Sequence, residues 1–464
     1  MDNYQKFFSS LDDAVDIFSK WDKSENIQVI SHLDADGISA CAILIKALDR
    51  DNRKHTISIL PQLTREKVEE LAKQDSKYVI FADLGSGQLE DIAELMKDKQ
   101  ILILDHHEPD EVEAENITHI NPHLHEINGS KEVSGSGVVY FFARALNKKN
   151  EDLAYIAVLG AIGDVQEDQG FMKLNQEILD TAVSKGKMTV EKGLRLFGIN
   201  TRPLHKVLEY SSDPFIPGVS GSESGAIQFL HQLGIEAKDG NKWKKLVNLD
   251  DEEKQRLVAG IIMKRFGESN PEDVLGNIYT LPDEDNESPM KNAKEFATLL
   301  NACGRMEKAS FGIGACLGIE KDKKKALDTL MDYKKQIVGA INWYHDHKER
   351  MEQGDGFMIL NAKEEVPATM IGTLASIISK SNDIKEGTYI LSVARNKDGM
   401  SKASLRISGM RNDDVDLREV VKDIVAKSGG EAGGHKHAAG ALVEVEKEEE
   451  FLKAAKEVLS KRNI

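Results

Sequence analysis

Short runs of β-prone apolar residues, each stopped by charge and glycine, recur through the first third of the chain. Ile27–Ser31 (IQVIS) runs into His32, Asp34, Asp36 and Gly37, and Tyr78–Ala82 (YVIFA) into Asp83, Gly85 and Gly87. Ile101–Leu104 (ILIL) stops at Asp105, His106 and His107. Runs of this length and composition read as strands buried on both faces. Helical periodicity lies between them, over about Gly37–Leu48, Thr64–Lys73 and Gln88–Met96, with one more strand at His55–Leu60. That alternation is βαβαβαβ and predicts a parallel sheet. A short strand at Ile117–Ile120 follows. Ser134–Gly137 (SGSG) then opens a helix over Val138–Leu146, where the N-terminus suits either a bound anion or a plain N-cap. A second helix, from Asp152, ends at Gly163 and Asp164.

From about Thr189 to Gln353 the pattern turns helical and charged, and it predicts long amphipathic helices in a bridging or inserted region outside the catalytic core. Ser211–Gly221 reads there as an ordered loop and Glu284–Lys291 as an exposed one. After Gly356 the alternation returns. Strands are expected at Phe357–Asn361, Tyr389–Arg395, Lys402–Ile407 and Ala441–Val445, and helices at Thr369–Ser379, Leu417–Lys427 and Glu448–Ser460. A glycine-rich stretch, Gly429–Gly440, precedes the last strand. The fold class expected is α/β in three parts: a parallel-sheet domain over 1–188, a helical region over 189–353 and a smaller α/β domain over 354–464.

Composition narrows this picture. A chain of 464 residues exceeds what one core usually serves. A net charge of −17 argues against nonspecific duplex binding, which depends on neutralising phosphates, but leaves room for a single strand held by bound cations and a local basic groove. Cys41, Cys303 and Cys316 form no CxxC pair, which favours a reducing, cytoplasmic setting. The first residues carry no basic and apolar leader, and no stretch approaches the roughly 18 apolar residues of a membrane span, so no membrane partner is expected.

The candidate chemistry sits where the apolar runs stop. His32, Asp34 and Asp36 alternate after a strand, and an extended backbone aims such positions one way. With Asp83, His106 and Asp164 they supply enough ligands for two divalent ions. Imidazole and carboxylate without thiolate favours Mn²⁺, with Mg²⁺ or Co²⁺ behind it. A lone DxDG is usually a turn and a lone His-His pair usually packs, but four such clusters at element ends are hard to assign to packing. His123 and His125 read as surface residues. There is no GxxxxGK[ST], and Gly37 falls too early for an EF-hand.

SHLDADG (Ser31–Gly37), ADLGSG (Ala82–Gly87), LDHHE (Leu104–Glu108) and GAIGDV (Gly160–Val165) resemble, in order, the four motifs of the DHH phosphoesterase superfamily. GGHKHAAG (Gly433–Gly440) resembles the signature of the DHH-associated C-terminal domain. SSDPFIPG (Ser211–Gly218) and EFATLLNACGRM (Glu295–Met306) are most similar to archaeal RecJ-like nucleases, including the GINS-associated nuclease. The resemblance implies one ion on His32, Asp34 and Asp83 and another on Asp36, Asp83, His106 and Asp164, with Asp83 shared. Asp105 then orients an imidazole or a water, and His107 faces the scissile phosphate. Arg406, Gly433, Gly434, His435 and His437 form the expected substrate-binding set, with His437, where many relatives carry an apolar residue, bearing on how the terminal nucleotide is held.

The activity so implied is a metal-dependent, single-strand-specific exonuclease, 5′ to 3′, acting on DNA and also RNA in replication or repair. Its partners would be single-stranded nucleic acid, the GINS complex and the replicative helicase. The alternatives are a phosphodiesterase for short oligonucleotides or cyclic dinucleotides and a replisome scaffold.

Overall fold

The computed structural model describes residues 2–168, 170–211, 214–268, 270–381, 384–409 and 415–462. It divides into two compact units, Met1–Thr329 and Leu330–Ile464.

The first unit begins with a helix that the apolar pattern did not announce, α1 (Asn3–Ser19), which buries Phe7, Leu11, Ala14 and Phe18. The predicted alternation follows as β1 (Asn26–His32), α2 (Ala35–Arg50), β2 (Lys54–Leu60), α3 (Arg65–Ala72), β3 (Tyr78–Ala82), α4 (Leu89–Leu95), β4 (Gln100–Leu104) and β5 (Ile117–Ile120). These strands form one sheet in the order β2-β1-β3-β4-β5, parallel throughout. Ser31 pairs with Ala82, Ala82 with Leu104 and Leu104 with Ile120. The central strands therefore end on one line, and the residues that follow each of them emerge on a single rim.

Three helices follow, α5 (Gly135–Leu146), α6 (Ala154–Gly163) and α7 (Lys173–Ser184). Helix α2 packs against both α5 and α6 and is buried on nearly every side, which explains its all-round apolar sequence. Beyond α7 the chain forms β6 (Thr189–Leu194), α8 (Leu204–Glu209), α9 (Glu223–Gln232), β7 (Lys238–Asp239), β8 (Lys242–Trp243), α10 (Asp251–Lys264), β9 (Leu275–Thr280), α11 (Ala293–Arg305) and α12 (Ala309–Cys316).

The expectation of helices alone from Thr189 onward is corrected here. Thr189–Leu194 is a strand paired antiparallel with β9 along its whole length, and that pairing satisfies its backbone although its first four residues are exposed. Ser211–Gly221 is a loop as expected, with Ser212 and Asp213 outside the described residues. Nor is the region only a bridge, since α11 and α12 both pack against α2, and α11 also against α6.

The boundary between the units falls within α13 (Glu320–His347). The second unit carries β10 (Glu352–Gly354), β11 (Phe357–Asn361), α14 (Ala368–Ile378), β12 (Tyr389–Arg395), β13 (Met400–Ile407), α15 (Leu417–Ser428), β14 (Glu431–His435), β15 (Ala438–Glu444) and α16 (Glu448–Leu459). Its six-stranded sheet has the order β10-β11-β12-β13-β15-β14 and is mostly antiparallel. Helices α15 and α16 cover one face through Val420, Val421, Ile424, Phe451 and Ala455. The glycine-rich stretch, expected to precede the last strand, itself contributes to the sheet. It forms a hairpin of β14 and β15 in which Gly433 pairs with Gly440 and Gly434 with Ala439. Gly440 must lack a side chain there, since a Cβ would lie 2.4 Å from the Ala403 carbonyl oxygen.

Candidate metal centre

His32 ends β1, Asp34 caps α2 by accepting from the Gly37 N–H at 3.0 Å, and Asp36 lies in the first turn of α2. Asp83 follows β3 with φ of 61°, an uncommon conformation for a residue with a side chain and one met at functional sites. Its backbone N–H donates to the Leu104 carbonyl at 2.9 Å, which ties this turn to the next strand. Asp105 and His106 follow β4, and Asp164 is the C-cap of α6.

Ligand atoms from these positions converge. His32, Asp34 and Asp83 offer atoms within 4.8 Å of one another, and so do Asp36, His106 and Asp164. His106 Nε2 lies 3.4 Å from Asp83 Oδ1, 3.3 Å from Asp164 Oδ2 and 3.8 Å from Asp36 Oδ2. His32 Nδ1 lies 2.8 Å from Asp34 Oδ2 and 4.0 Å from Asp83 Oδ2. Asp83 thus approaches both histidines. Both its oxygens and His106 Nε2 are buried and have no hydrogen-bond partner among the described residues.

Such orphaned atoms mark a place for a cation, because an unpaired buried polar atom is costly and these point at one another. The charges say the same. Asp83 is raised well above the ordinary carboxylate range, first by burial and then by Asp36, and Asp164 is raised for the same two reasons. Burial works to lower His106, but the pull of Asp83, Asp164 and Asp36 raises it. Two unit charges 4 Å apart repel by about 4 kcal/mol at an effective dielectric of 20, so one imidazole cannot hold three ionised carboxylates together. Divalent cations can.

The fold spends considerable structure on this cluster. Asp36 accepts from Ser134 Oγ at 2.9 Å, from the Gly135 N–H at 2.7 Å, from the Ser136 N–H at 3.1 Å and from Ser136 Oγ. The serine and glycine turn that opens α5 therefore does receive an anion, and that anion is the protein's own carboxylate. Ser134 also caps the helix, its Oγ accepting from the Gly137 N–H. A Cβ on Gly135 would lie 2.2 Å from Asp83 Oδ1, and one on Gly160 2.2 Å from Asp36 Oδ1, so both glycines make room for these carboxylates.

Asp105 is fully buried and accepts from the Ser86 N–H at 3.0 Å, the His106 N–H at 2.8 Å and His107 Nδ1 at 2.8 Å. Burial opposes its charge, but His107 and the Ser86 amide outweigh that and hold it far below the usual range. Asp34 is likewise held low against burial, by His32 and by the Gly37 amide. With Nδ1 turned to Asp105, the partly exposed His107 directs Nε2 away from that carboxylate.

Reading the chain in sequence missed two contributors from α11. Asn301 Oδ1 accepts the Ala35 N–H at 3.0 Å and so braces the loop of His32, Asp34 and Asp36 from outside. Gly304 lies against the same loop, where a Cβ would fall 1.6 Å from the Leu33 carbonyl oxygen. Both belong to the stretch Glu295–Met306, whose small residues on an apolar helix face were the available signal.

The remaining expected site residues lie in the second unit. Half-buried Arg406, on β13, donates from Nε to Ser376 Oγ at 3.0 Å and from Nη1 to the Leu405 carbonyl at 2.8 Å. Leu405, Ala439 and Gly434 pair in series across β13, β15 and β14, so the sheet brings Arg406 within two strands of the exposed Gly433 and Gly434. His437 is exposed at the hairpin turn, and the side chain of His435 is outside the described set.

Sequence models of three domains match: the DHH family N-terminal domain over 26–163, the DHH-CID domain over 196–278 and the DHHA1 domain over 354–461. The uncharacterized protein MJ0831 of Methanocaldococcus jannaschii is 31% identical over 446 residues, 94% of each chain. The chain belongs to the DHH family. A shorter match, 29% identical over 153 residues, covers 32% of this DHH protein and 26% of YorK of Bacillus subtilis, provisionally named a prophage-derived single-strand DNA-specific exonuclease. RecJ of Thermus thermophilus in complex with Mn²⁺ shares the fold, with a TM-score of 0.59 and 16% identity over 98% of this chain and 55% of that one. So does CDC45 of Entamoeba histolytica, with a TM-score of 0.66 and 12% identity over 99% of each. The architecture is thus RecJ-like. No helix among the described residues is long and apolar enough to cross a membrane.

Proposed function

We propose that this protein hydrolyses phosphodiester bonds in single-stranded nucleic acid from one end, with two divalent cations, Mn²⁺ foremost and Mg²⁺ or Co²⁺ as substitutes. The single observation that carries this reading is the set of orphaned ligand atoms around Asp83, buried between His32 and His106. His32, Asp34 and Asp83 would hold one ion, and Asp36, Asp83, His106 and Asp164 the other. Bound there, the ions would supply charge neutralisation and a lowered water pKa, the contribution two-metal phosphoesterases draw from their cations. His107, oriented by the ionised Asp105, would donate to a phosphate oxygen or to the leaving group. Arg406 with the Gly433 and Gly434 hairpin would hold a substrate phosphate, and a bidentate arginine suits that task. The polarity proposed is 5′ to 3′, on DNA and also on RNA, in a cytoplasmic setting.

The test is digestion of end-labelled single strands of graded length with Mn²⁺, each blocked at one end or the other. Release of mononucleotides from strands with a free 5′ end only is the expected result. Equal cleavage with either end blocked would refute polarity, and activity confined to dinucleotides or cyclic dinucleotides would favour the short-substrate alternative.

A second reading has its own support. The likeness to CDC45 spans the whole chain, so a scaffold role beside the GINS complex and the replicative helicase is the other function we propose, alone or joined to the nuclease. Co-purification from native extract at low salt tests it. A complete metal-ligand set has no purpose in a scaffold alone, which ranks hydrolysis first.

A further inference from the structure

His106 reaches its neighbouring carboxylates through Nε2, so its other ring nitrogen decides whether Nε2 is free to ligate. Nδ1 lies 2.7 Å from the Gly129 carbonyl oxygen. A carbonyl only accepts, so Nδ1 carries the proton and Nε2 is the nitrogen turned to Asp83 and Asp164.

The same carbonyl takes a second hydrogen bond, from Gln166 Nε2 at 3.0 Å. This fixes the Gln166 amide, because only its NH₂ can face a carbonyl, and its Oε1 must then accept from elsewhere. Asn175 Nδ2 supplies that bond at 2.6 Å. Asn175 also holds the loop through its backbone, donating to the Glu132 carbonyl at 2.8 Å. Gln166 is 8% exposed and Asn175 2%, so water cannot replace these bonds without opening the core. Position 129 must be glycine for the arrangement to exist, since a Cβ would lie 2.2 Å from the His106 carbonyl oxygen.

We propose that Gln166 and Asn175 are positioning residues for His106. Together they hold the Gly129 carbonyl where it keeps Nδ1 the donating nitrogen and aims Nε2 into the carboxylate cluster. The inference rests on the metal-centre reading for its purpose, but the relay itself has a separate readout. The side-chain amide of Gln166 bonds the Gly129 carbonyl and Asn175, so the side-chain route from this pair to the carboxylate cluster leads through His106. Partners of this kind are worth about 10- to 100-fold in metal affinity where they have been removed from other sites.

The experiment uses the full-length protein and two measurements. In ¹H–¹⁵N spectra of histidine-labelled, metal-free protein, the His106 Nδ1 proton should be protected from exchange in the wild type and exposed in Gln166→Met and Asn175→Ala. Calorimetric titration with Mn²⁺ should show about 10- to 100-fold weaker binding for Gln166→Met. A double-mutant cycle with His106→Ala then separates positioning from general damage: Gln166→Met should cost nothing further once His106 is gone. Wild-type protection and affinity in Gln166→Met would overturn the proposal, as would an equal loss of affinity with and without His106. A wild-type protein that binds no Mn²⁺ overturns the metal reading instead, and the exchange measurement still decides the relay.

Discussion

The rim of the parallel sheet and the hairpin of the mixed sheet treat charge in opposite ways. At the rim, Asp36, Asp83 and His106 are almost entirely buried, in a space where burial and mutual repulsion push Asp83 and Asp164 toward the neutral form. On the mixed sheet a single half-buried arginine lies beside glycines whose only polar groups are backbone amides. In the first arrangement a single imidazole, His106, faces three carboxylates and two buried Asp83 oxygens have no hydrogen-bond partner among the described residues, so the cluster could take up cations. The second is complete as it stands and can only gain a ligand. Loss of a group should therefore be felt very differently in the two places.

The largest effect is expected at the shared ligand. Asp83→Ala should reduce hydrolysis with Mn²⁺ below a few per cent of wild type, about 100-fold or more, while the circular dichroism spectrum is retained. Asp105→Ala should cost less, because that carboxylate, although its atoms lie within 4.8 Å of those of Asp83 and His106, is already engaged by the Ser86 and His106 amides and by His107. Substantial activity in Asp83→Ala would remove the contrast between the two regions.

Next comes Gly304→Ala, which tests how tightly the rim is packed. The new methyl has no space against the Leu33 carbonyl, so a destabilisation of about 1–3 kcal/mol is expected, with weakened Mn²⁺ binding. Gly434→Ala on the hairpin would strain a residue with φ of 118° but should leave metal binding alone.

The pH dependence of stability sharpens the comparison further. Asp83 and Asp164 have folded pKa values above the ordinary ~3.8, and His106 has one above the ordinary ~6.5. Each contributes stability that is present below its unfolded value and lost as pH rises through its raised folded value. Asp34 and Asp105 are depressed, so theirs is present above about 3.8 and lost as pH falls. The metal-free protein should thus show a Tm that declines on both the acid and the alkaline side. Saturating Mn²⁺ should abolish the alkaline decline and leave the acid one in place. An alkaline limb indifferent to Mn²⁺ would mean that the rim is not a cation site.

The smallest effect is expected on the mixed sheet. Arg406→Ala should raise KM for a long single strand by about 10-fold, in line with loss of one charge-assisted contact, with Mn²⁺ affinity unchanged. Wild-type KM in that variant would move substrate anchoring to another surface.

Much of the rim was legible in the chain, because each ligand cluster follows directly on an apolar strand or helix and a parallel sheet exposes such ends together. The strand positions of Ile27–Ser31, Tyr78–Ala82 and Ile101–Leu104 follow from residue type and spacing, which are local properties. Of the hairpin Glu431–Glu444, the expected strand at Ala441–Val445 recovers the second half of β15, but β14 and the start of β15 were not legible, since their glycines carry no periodicity and only pairing with β13 decides where β15 begins. The strand at Thr189–Leu194 was hidden for a similar reason: its partner, Leu275–Thr280, lies far along the chain.

What the sequence determined by itself is therefore the kind of atoms at the rim and the order in which the chain delivers them. Tertiary structure decided what surrounds those atoms. The cradle of Ser134–Ser136 around Asp36, the brace of Asn301 and Gly304, and the carbonyl of Gly129 behind His106 all join positions distant in the chain, the nearest pair 23 residues apart. Such contacts leave no local pattern, because a hydrogen bond or a missing Cβ constrains a partner through space and not along the chain.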